Sequence, residues 1–228
     1  MGYAEKHNIK ALCFDIDGTF YPQRETHEYL FKSFIKHPFF SVRYNNMRQR
    51  MRKKDGLKLS PVMTLSAFRD KECALIYGRP LASYSERYNR DLFSSWQKTS
   101  RLIRPYKNVR ESLEEAKRRG YILAVLSDFP IGNKLETLHL EGLFDYVASA
   151  EDCGYLKPNA TPFCVMLDKL NVKPAEALYV GDSERKDIHG AANVGMHTLL
   201  INASKKKAAS SSASLVLTGW DKFINMVL

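Results

Sequence analysis

The chain has 228 residues, 44% of them apolar, which is enough for one large domain or a core domain with a smaller insert, and it has no run of about 18 apolar residues that would cross a membrane. Its formal net charge of +10 is concentrated: residues 20–104 hold 18 Lys and Arg against 7 Asp and Glu, while the remainder holds 17 against 18. Four widely spaced cysteines form no CxxC pair and the start, MGYAEKHNIK, has no apolar leader, so a zinc knuckle, a disulfide framework and a secreted protein are not expected; a cytoplasmic protein with reduced thiols is.

In chain order, Ala11–Ile16 (ALCFDI) is a short apolar run that predicts a first strand. It runs directly into DIDGT. A strand residue and its second neighbour point to one face, so Asp15 and Asp17 would repel each other unless the chain bends, as Gly18 permits. Residues 23–101 then lack strand-like runs. Leu30, Phe31, Phe34 and Ile35 repeat at helical spacing, as do Leu81, Tyr84, Tyr88, Leu92 and Trp96, and Val62, Leu65 and Phe68 suggest a third helix. This segment is expected to be an inserted α-helical cap, with Leu102–Tyr106 (LIRPY) as the return.

Beyond it, short apolar runs alternate with helical patterns. Asn108–Arg119 reads as a helix stopped by Gly120, Tyr121–Leu126 (YILAVL) as a strand, and Asn133–Leu140 as a helix leading to a strand at Phe144–Ala148. Thr161–Leu170 predicts a helix, Ala177–Val180 (ALYV) a strand, Glu184–Val194 a helix closed by Gly195, and Thr198–Ile201 (TLLI) a strand. Ala203–Ser214 (ASKKKAASSSAS) reads as a mobile surface loop, followed by an edge strand at Leu215–Leu217 and a last helix. The pattern predicts an α/β fold: a Rossmann-like, doubly wound parallel sheet made of residues 1–22 and 102–228, with the cap at 23–101 inserted after the first strand.

Four polar clusters follow the predicted strands, where ligands of such sheets bind. They are Asp15-Ile-Asp17-Gly18-Thr19, Leu126-Ser127-Asp128, Gly154-Tyr155-Leu156-Lys157-Pro158, and Gly181-Asp182 through Asp187. Taken singly, each has an ordinary explanation: an acidic turn, a cap residue, a solvated lysine, an N-capped helix start. Together they bring two carboxylates, a hydroxyl, an ammonium and two more carboxylates to one sheet edge. That set suits phosphoryl transfer with a hard cation held by oxygen ligands.

With these motifs the sequence resembles the haloacid dehalogenase superfamily of aspartate-nucleophile phosphotransferases. DIDGT is similar to its first motif, LSD to its strand-end Ser/Thr motif, GYLKP to its lysine motif and GDSERKD to its acidic motif; the match covers residues 10–22 and 105–201. The resemblance implies that Asp15 attacks phosphorus and that Asp17 protonates the leaving oxygen, then deprotonates water. Mg²⁺ would be held by Asp15, the backbone carbonyl of Asp17 and Asp182, with Asp187 supporting its water shell or ligating it directly. Ser127 and Lys157 would bind phosphoryl oxygens, with Thr19 beside them. Asp128 stands where the family often has Asn, and a further carboxylate near a phosphate is unfavourable unless it is paired or points away. Phe20-Tyr21-Pro22 resembles a stretch of pyrimidine nucleotidase-like relatives, a slight pointer to a nucleotide monophosphate.

Dehalogenase relatives lack the second aspartate, so Asp17 favours phosphate chemistry. The expected function is a Mg²⁺-dependent phosphatase of a small phosphorylated metabolite. A sugar-phosphate mutase of the same superfamily is the alternative within the family. A binding module for anions or nucleic acid, suggested by RYNNMRQRMRKK at 43–54, is the alternative outside it. Nucleic acid and membrane are not the expected partners. For this basic cluster (Arg48, Arg50, Arg52, Lys53, Lys54) two roles are equally expected: steering anionic substrates, or forming a solvated outer face.

Overall fold

The computed structural model describes residues 1–24, 38–79 and 103–228. After a short helix α1 (Tyr3–Lys6), strand β1 (Ala11–Phe14) enters the middle of a six-stranded sheet. Helices α2 (Pro38–Asp55) and α3 (Leu65–Tyr77), called cap helices after the segment expected from sequence to be the cap, follow, then α4 (Val109–Arg118), β2 (Ile122–Ser127), α5 (Lys134–Thr137) and β3 (Tyr146–Ser149). The core continues with α6 (Ala160–Leu170), β4 (Ala177–Gly181), α7 (His189–Asn193), β5 (His197–Leu200), α8 (Lys205–Ala209), β6 (Leu215–Val216) and α9 (Phe223–Val227). All strand pairs are parallel, in the order β3-β2-β1-β4-β5-β6.

The strands are apolar almost throughout because both sheet faces are covered. Leu12, Phe14, Leu123, Val125, Leu178 and Val180 pack on one face with Val109 and Leu113 of α4 and with Trp220 and Phe223. Ala11, Cys13, Ala124, Leu126 and Tyr179 pack on the other with Phe163, Met166 and Leu167 of α6. Each such fully buried large side chain contributes about 1.5–3 kcal/mol. The polar tip of Tyr179 is satisfied by donating to the carbonyl of Leu126 at 2.8 Å. Capping ends the helices where the sequence suggests: Asn159 accepts the N–H of Thr161 ahead of α6, and Gly120 follows α4 with φ of +87°.

The cap helices share an apolar seam of Met47, Met51, Phe68, Cys73 and Ile76 that also takes in Leu156 of the core. The connection between them is tied to the core by Met63 N–H to the Cys153 carbonyl (3.0 Å), and by Ser60, whose N–H and carbonyl both meet the Thr161 hydroxyl at 2.8 Å. The helical repeats expected around Leu30–Ile35 and Leu81–Trp96 lie outside the described residues. Val62 precedes α3 rather than forming part of it.

Two expectations need correction. The basic stretch at 43–54 is not a wholly solvated face. Arg50, Lys53 and Lys54 are exposed, but Arg48 and Arg52 are only 2% and 8% exposed and face the core. Residues one helical turn apart share a face, and here that face carries buried ion pairs. Nor is Ala203–Ser214 a featureless loop. It contains α8, and Glu184 organises its serines, accepting from Ser211 Oγ (2.7 Å), Ser212 N–H (2.8 Å) and Ser212 Oγ (2.7 Å). A carboxylate with three donors orders a stretch whose composition suggests none.

Candidate active site

Residues Asp15 to Gln23 leave β1 in a tight loop. Thr19 N–H and Phe20 N–H both donate to the Ile16 carbonyl, and Gly18 adopts φ of +93°. A Cβ on Gly18 would lie 2.3 Å from Asp182 Oδ2, so the loop needs glycine both for its backbone and for space. Its outer side is pinned by Asn202 Nδ2, which donates to the Gly18 and Thr19 carbonyls, and by Trp220 Nε1, which donates to the Thr19 carbonyl. The bend sends the two carboxylates to different cations.

Asp15 faces Lys157. The Lys157 ammonium is fully buried and lies 2.7 Å from Asp15 Oδ1 and 2.7 Å from Asp187 Oδ1, with Tyr179 Oη at 2.9 Å and the Leu126 carbonyl at 3.2 Å. Burial pushes the Asp15 carboxyl up to about 7, against the pull of Lys157 and with the repulsion of Asp187. Burial also works against the Lys157 charge, but the two carboxylates outweigh it and hold that ammonium well above the ordinary lysine range. Thr19 Oγ1 donates to Asp15 Oδ2 at 3.3 Å.

Asp17 faces Lys134. Both its oxygens are 2.8 Å from Lys134 Nζ, Oδ1 accepts the Tyr21 hydroxyl, and Oδ2 accepts Ser127 Oγ at 3.3 Å. Burial alone would push the Asp17 carboxyl up, yet Lys134 and the Tyr21 hydroxyl hold it below the ordinary carboxylate range. Lys134 and Tyr21 are absent from the residues expected from sequence. Lys134 reads as a surface lysine of a short helix, and its partner lies 117 positions away.

Asp15, Asp182 and Asp187 each offer a carboxylate oxygen to one point, the three atoms lying within 4.8 Å of one another. Asp182 Oδ1 is buried with no hydrogen-bond partner among the described residues, an orphan that a cation would satisfy. Gly181 is needed here too, since a Cβ would sit 2.4 Å from that of Asp187. Asp187 Oδ2 accepts the N–H of Ser183 within the wide turn at Glu184–Ile188. An oxygen-only donor set of this kind fits Mg²⁺. The Asp17 side chain is not part of it, being committed to Lys134. Its backbone carbonyl accepts Gln23 Nε2 at 2.7 Å, and the same amide lies 3.5 Å from Asp182 Oδ2.

This cluster gives the metal-free protein an expected pH signature. Burial raises Asp15 to about 7, and burial with Asp187 raises Asp182 to about 6. A carboxyl whose folded value lies above its unfolded value stabilises the fold at low pH and loses that contribution as pH rises through the folded value. Without metal, the melting temperature should therefore fall between about pH 4 and pH 7 through these two groups. Added Mg²⁺ should raise it more at pH 7.5 than at pH 5, because binding must displace protons. Thermal melts at both pH values, with and without Mg²⁺, test this; an equal or absent shift would remove the cation from the cluster.

Asp128 is paired and points away. Its Oδ1 accepts the backbone N–H of Lys157 at 2.8 Å and its Oδ2 pairs with Arg52. Its carbonyl accepts Arg48 Nη2 at 2.5 Å, while Arg48 and Arg69 meet Glu151 and Glu72 in the same buried network.

Comparison with known proteins identifies the family and the fold. The family model described as haloacid dehalogenase-like hydrolase matches residues 12–201. The glyceraldehyde 3-phosphate phosphatase of Methanothermobacter thermautotrophicus is 34% identical over 110 residues, 47% of this chain and 49% of that protein, so the match spans about half of that relative's length. Pyrophosphatase PpaX of Bacillus thuringiensis is 28% identical over 211 residues, covering 88% of this chain and 87% of the relative. Among solved structures, the HAD phosphatase of Thermococcus onnurineus superposes with a TM-score of 0.63 over 95% of this chain and 97% of that one, at 22% identity.

Proposed function

The chain belongs to the haloacid dehalogenase-like hydrolases, and on that premise we propose that it is a phosphatase of small phosphorylated metabolites that forms a phosphoaspartate on Asp15. The observation that carries this reading is the separate pairing of two buried carboxylates, Asp15 with Lys157 and Asp17 with Lys134. A halide leaving group needs no proton donor, whereas an alkoxide does.

Asp15 Oδ2, the oxygen not engaged by Lys157, attacks phosphorus as the bond to the leaving oxygen breaks, and Asp17 gives that oxygen its proton. Asp17 then takes a proton from water as the water oxygen attacks phosphorus, the bond to Asp15 breaks, and inorganic phosphate leaves. Pairing with Lys134 favours the carboxylate of Asp17, the form the second step needs. The proton it gives in the first step is the one it took from water in the preceding turnover, or one taken from solvent as the substrate displaces Lys134. Lys157 spreads the charge of the nucleophile, and Ser127 and Thr19 supply hydroxyls to the phosphoryl oxygens. Mg²⁺ held by Asp15, Asp182 and Asp187 would supply neutralisation of negative charge at the phosphoryl group.

With Arg48 and Arg52 buried, the basic stretch at 43–54 is a poorer polyanion surface than its sequence suggests. Among the described residues no helix is long and apolar enough to cross a membrane. Triose phosphates and pyrophosphate, after the names of the relatives, are the first compounds to try beside a generic aryl phosphate. Saturable hydrolysis that requires Mg²⁺ and is lost with chelator is the expected result, with zinc a poor substitute. Hydrolysis at the same rate in chelator, or none with Mg²⁺ across the panel, would overturn the reading.

A further inference from the structure

Among the described residues, the cap side chain that hydrogen-bonds the proposed catalytic lysine is Arg52. Arg52, in the last turn of α2, donates from Nε to the backbone carbonyl of Lys157 at 3.2 Å. Through Nη2 it pairs with Asp128 Oδ2, and Asp128 Oδ1 accepts the backbone N–H of Lys157 at 2.8 Å. These contacts close a ring in which a cap guanidinium and a core carboxylate grip both backbone polar groups of a single residue. Lys157 lies in the loop before α6, outside any helix or strand, so no ladder of backbone hydrogen bonds holds it otherwise. One turn earlier on α2, Arg48 fixes the other end of Asp128 through its carbonyl and stands 4.2 Å from the centre of the Phe129 ring.

We propose that Arg52 and Asp128 are positioning residues for Lys157, so that seating of cap helix α2 sets the backbone of the lysine and, through it, the place of the ammonium between Asp15 and Asp187. Moving α2 away would take the donor from the Lys157 carbonyl and leave Asp128 buried without its closest cation, a strongly unfavourable arrangement. A guanidinium suits the task, because its rigid planar fork fixes the carboxylate and the carbonyl relative to each other, whereas an ammonium is a compact point charge on a flexible stem. The chemistry competent for transfer would thereby be tied to the closed cap. This rests on the phosphatase reading for its kinetic consequence, but not for its structural one.

Two readouts on Arg52→Lys and Arg52→Met separate these. Arg52→Lys keeps the charge opposite Asp128 and is expected to stay folded. The first readout is amine labelling of the native protein with an acylating reagent, mapped by mass spectrometry, which needs no activity. Labelling of Lys157 should rise tenfold or more in both variants, while Lys134, which is equally buried but lies outside the ring, stays protected. The second is hydrolysis of an aryl phosphate with Mg²⁺, where kcat should fall tenfold or more with KM within about twofold, since small misplacements of a catalytic group cost this much or more. Unchanged labelling of Lys157, a parallel rise at Lys134 (general loosening), or a loss confined to KM would overturn the positioning role. Wild-type protein that hydrolyses nothing would sink the phosphatase reading, and the labelling result would still decide the inference.

Discussion

Replacing Asp15 by Asn is expected to reduce phosphate-ester hydrolysis to the assay background without lowering the melting temperature of the metal-free protein. The amide matches the carboxylate in shape but is a poor nucleophile, and it also removes one oxygen ligand from the acidic cluster. Stability should not suffer, because Asp15 and Asp187 compete for one ammonium, each 2.7 Å from Lys157 Nζ. Burial and Asp187 already act against the charge on Asp15. Asn at this position removes that repulsion and leaves the Lys157–Asp187 pair in place. Steady-state kinetics with Mg²⁺ and a thermal melt check both halves, and near-wild-type turnover by the folded variant would remove Asp15 from the nucleophile's role.

Asp17→Asn should lower turnover of alkyl phosphates by about 10²–10⁴-fold through loss of proton transfer. Unlike the first variant, it should also melt earlier, because Lys134 is buried and would lose the anion that both its short contacts reach. Adding Lys134→Met to it should recover most of the lost melting temperature and none of the lost turnover. Recovery of both would make the Asp17–Lys134 pair a structural feature alone. With an aryl phosphate, whose leaving group needs little protonation, formation of the acylphosphate should survive in Asp17→Asn while its hydrolysis stalls.

The sheet and the residues at its edge were readable because each depends on neighbours close in sequence. Apolar runs such as ALCF and ALYV announce strands buried on both faces, and the polar motifs stand at their ends. What could not be read were partnerships spanning the chain. Lys134 meets Asp17 across 117 positions and Arg52 meets Asp128 across 76, and nothing in GNKLET or RQRMRKK distinguishes these cations from solvated ones. One signal was present. Asp128 beside a phosphate site demanded a compensating cation, and a strongly basic cap helix was the place to look for it. In sequence Tyr21 stands out only as part of the Phe20-Tyr21-Pro22 triplet, yet its hydroxyl donates to Asp17. The serines at 210–212 read as loop because composition carries no information about Glu184, the distant acceptor that orders two of them.

The covalent intermediate is the feature on which the proposed function depends most, and Asp17→Asn offers the means to catch it. The variant would be mixed with an aryl phosphate and Mg²⁺, quenched in acid during the burst, reduced with borohydride and mapped by peptide mass spectrometry. The expected result is a stoichiometric acylphosphate, read as the reduced aspartyl side chain, on the peptide that carries Asp15, with no such product from Asp15→Asn. A chain that releases the phenol under these conditions while Asp15 stays unmodified would mean that water attacks the substrate directly, and would contradict nucleophilic catalysis by this residue.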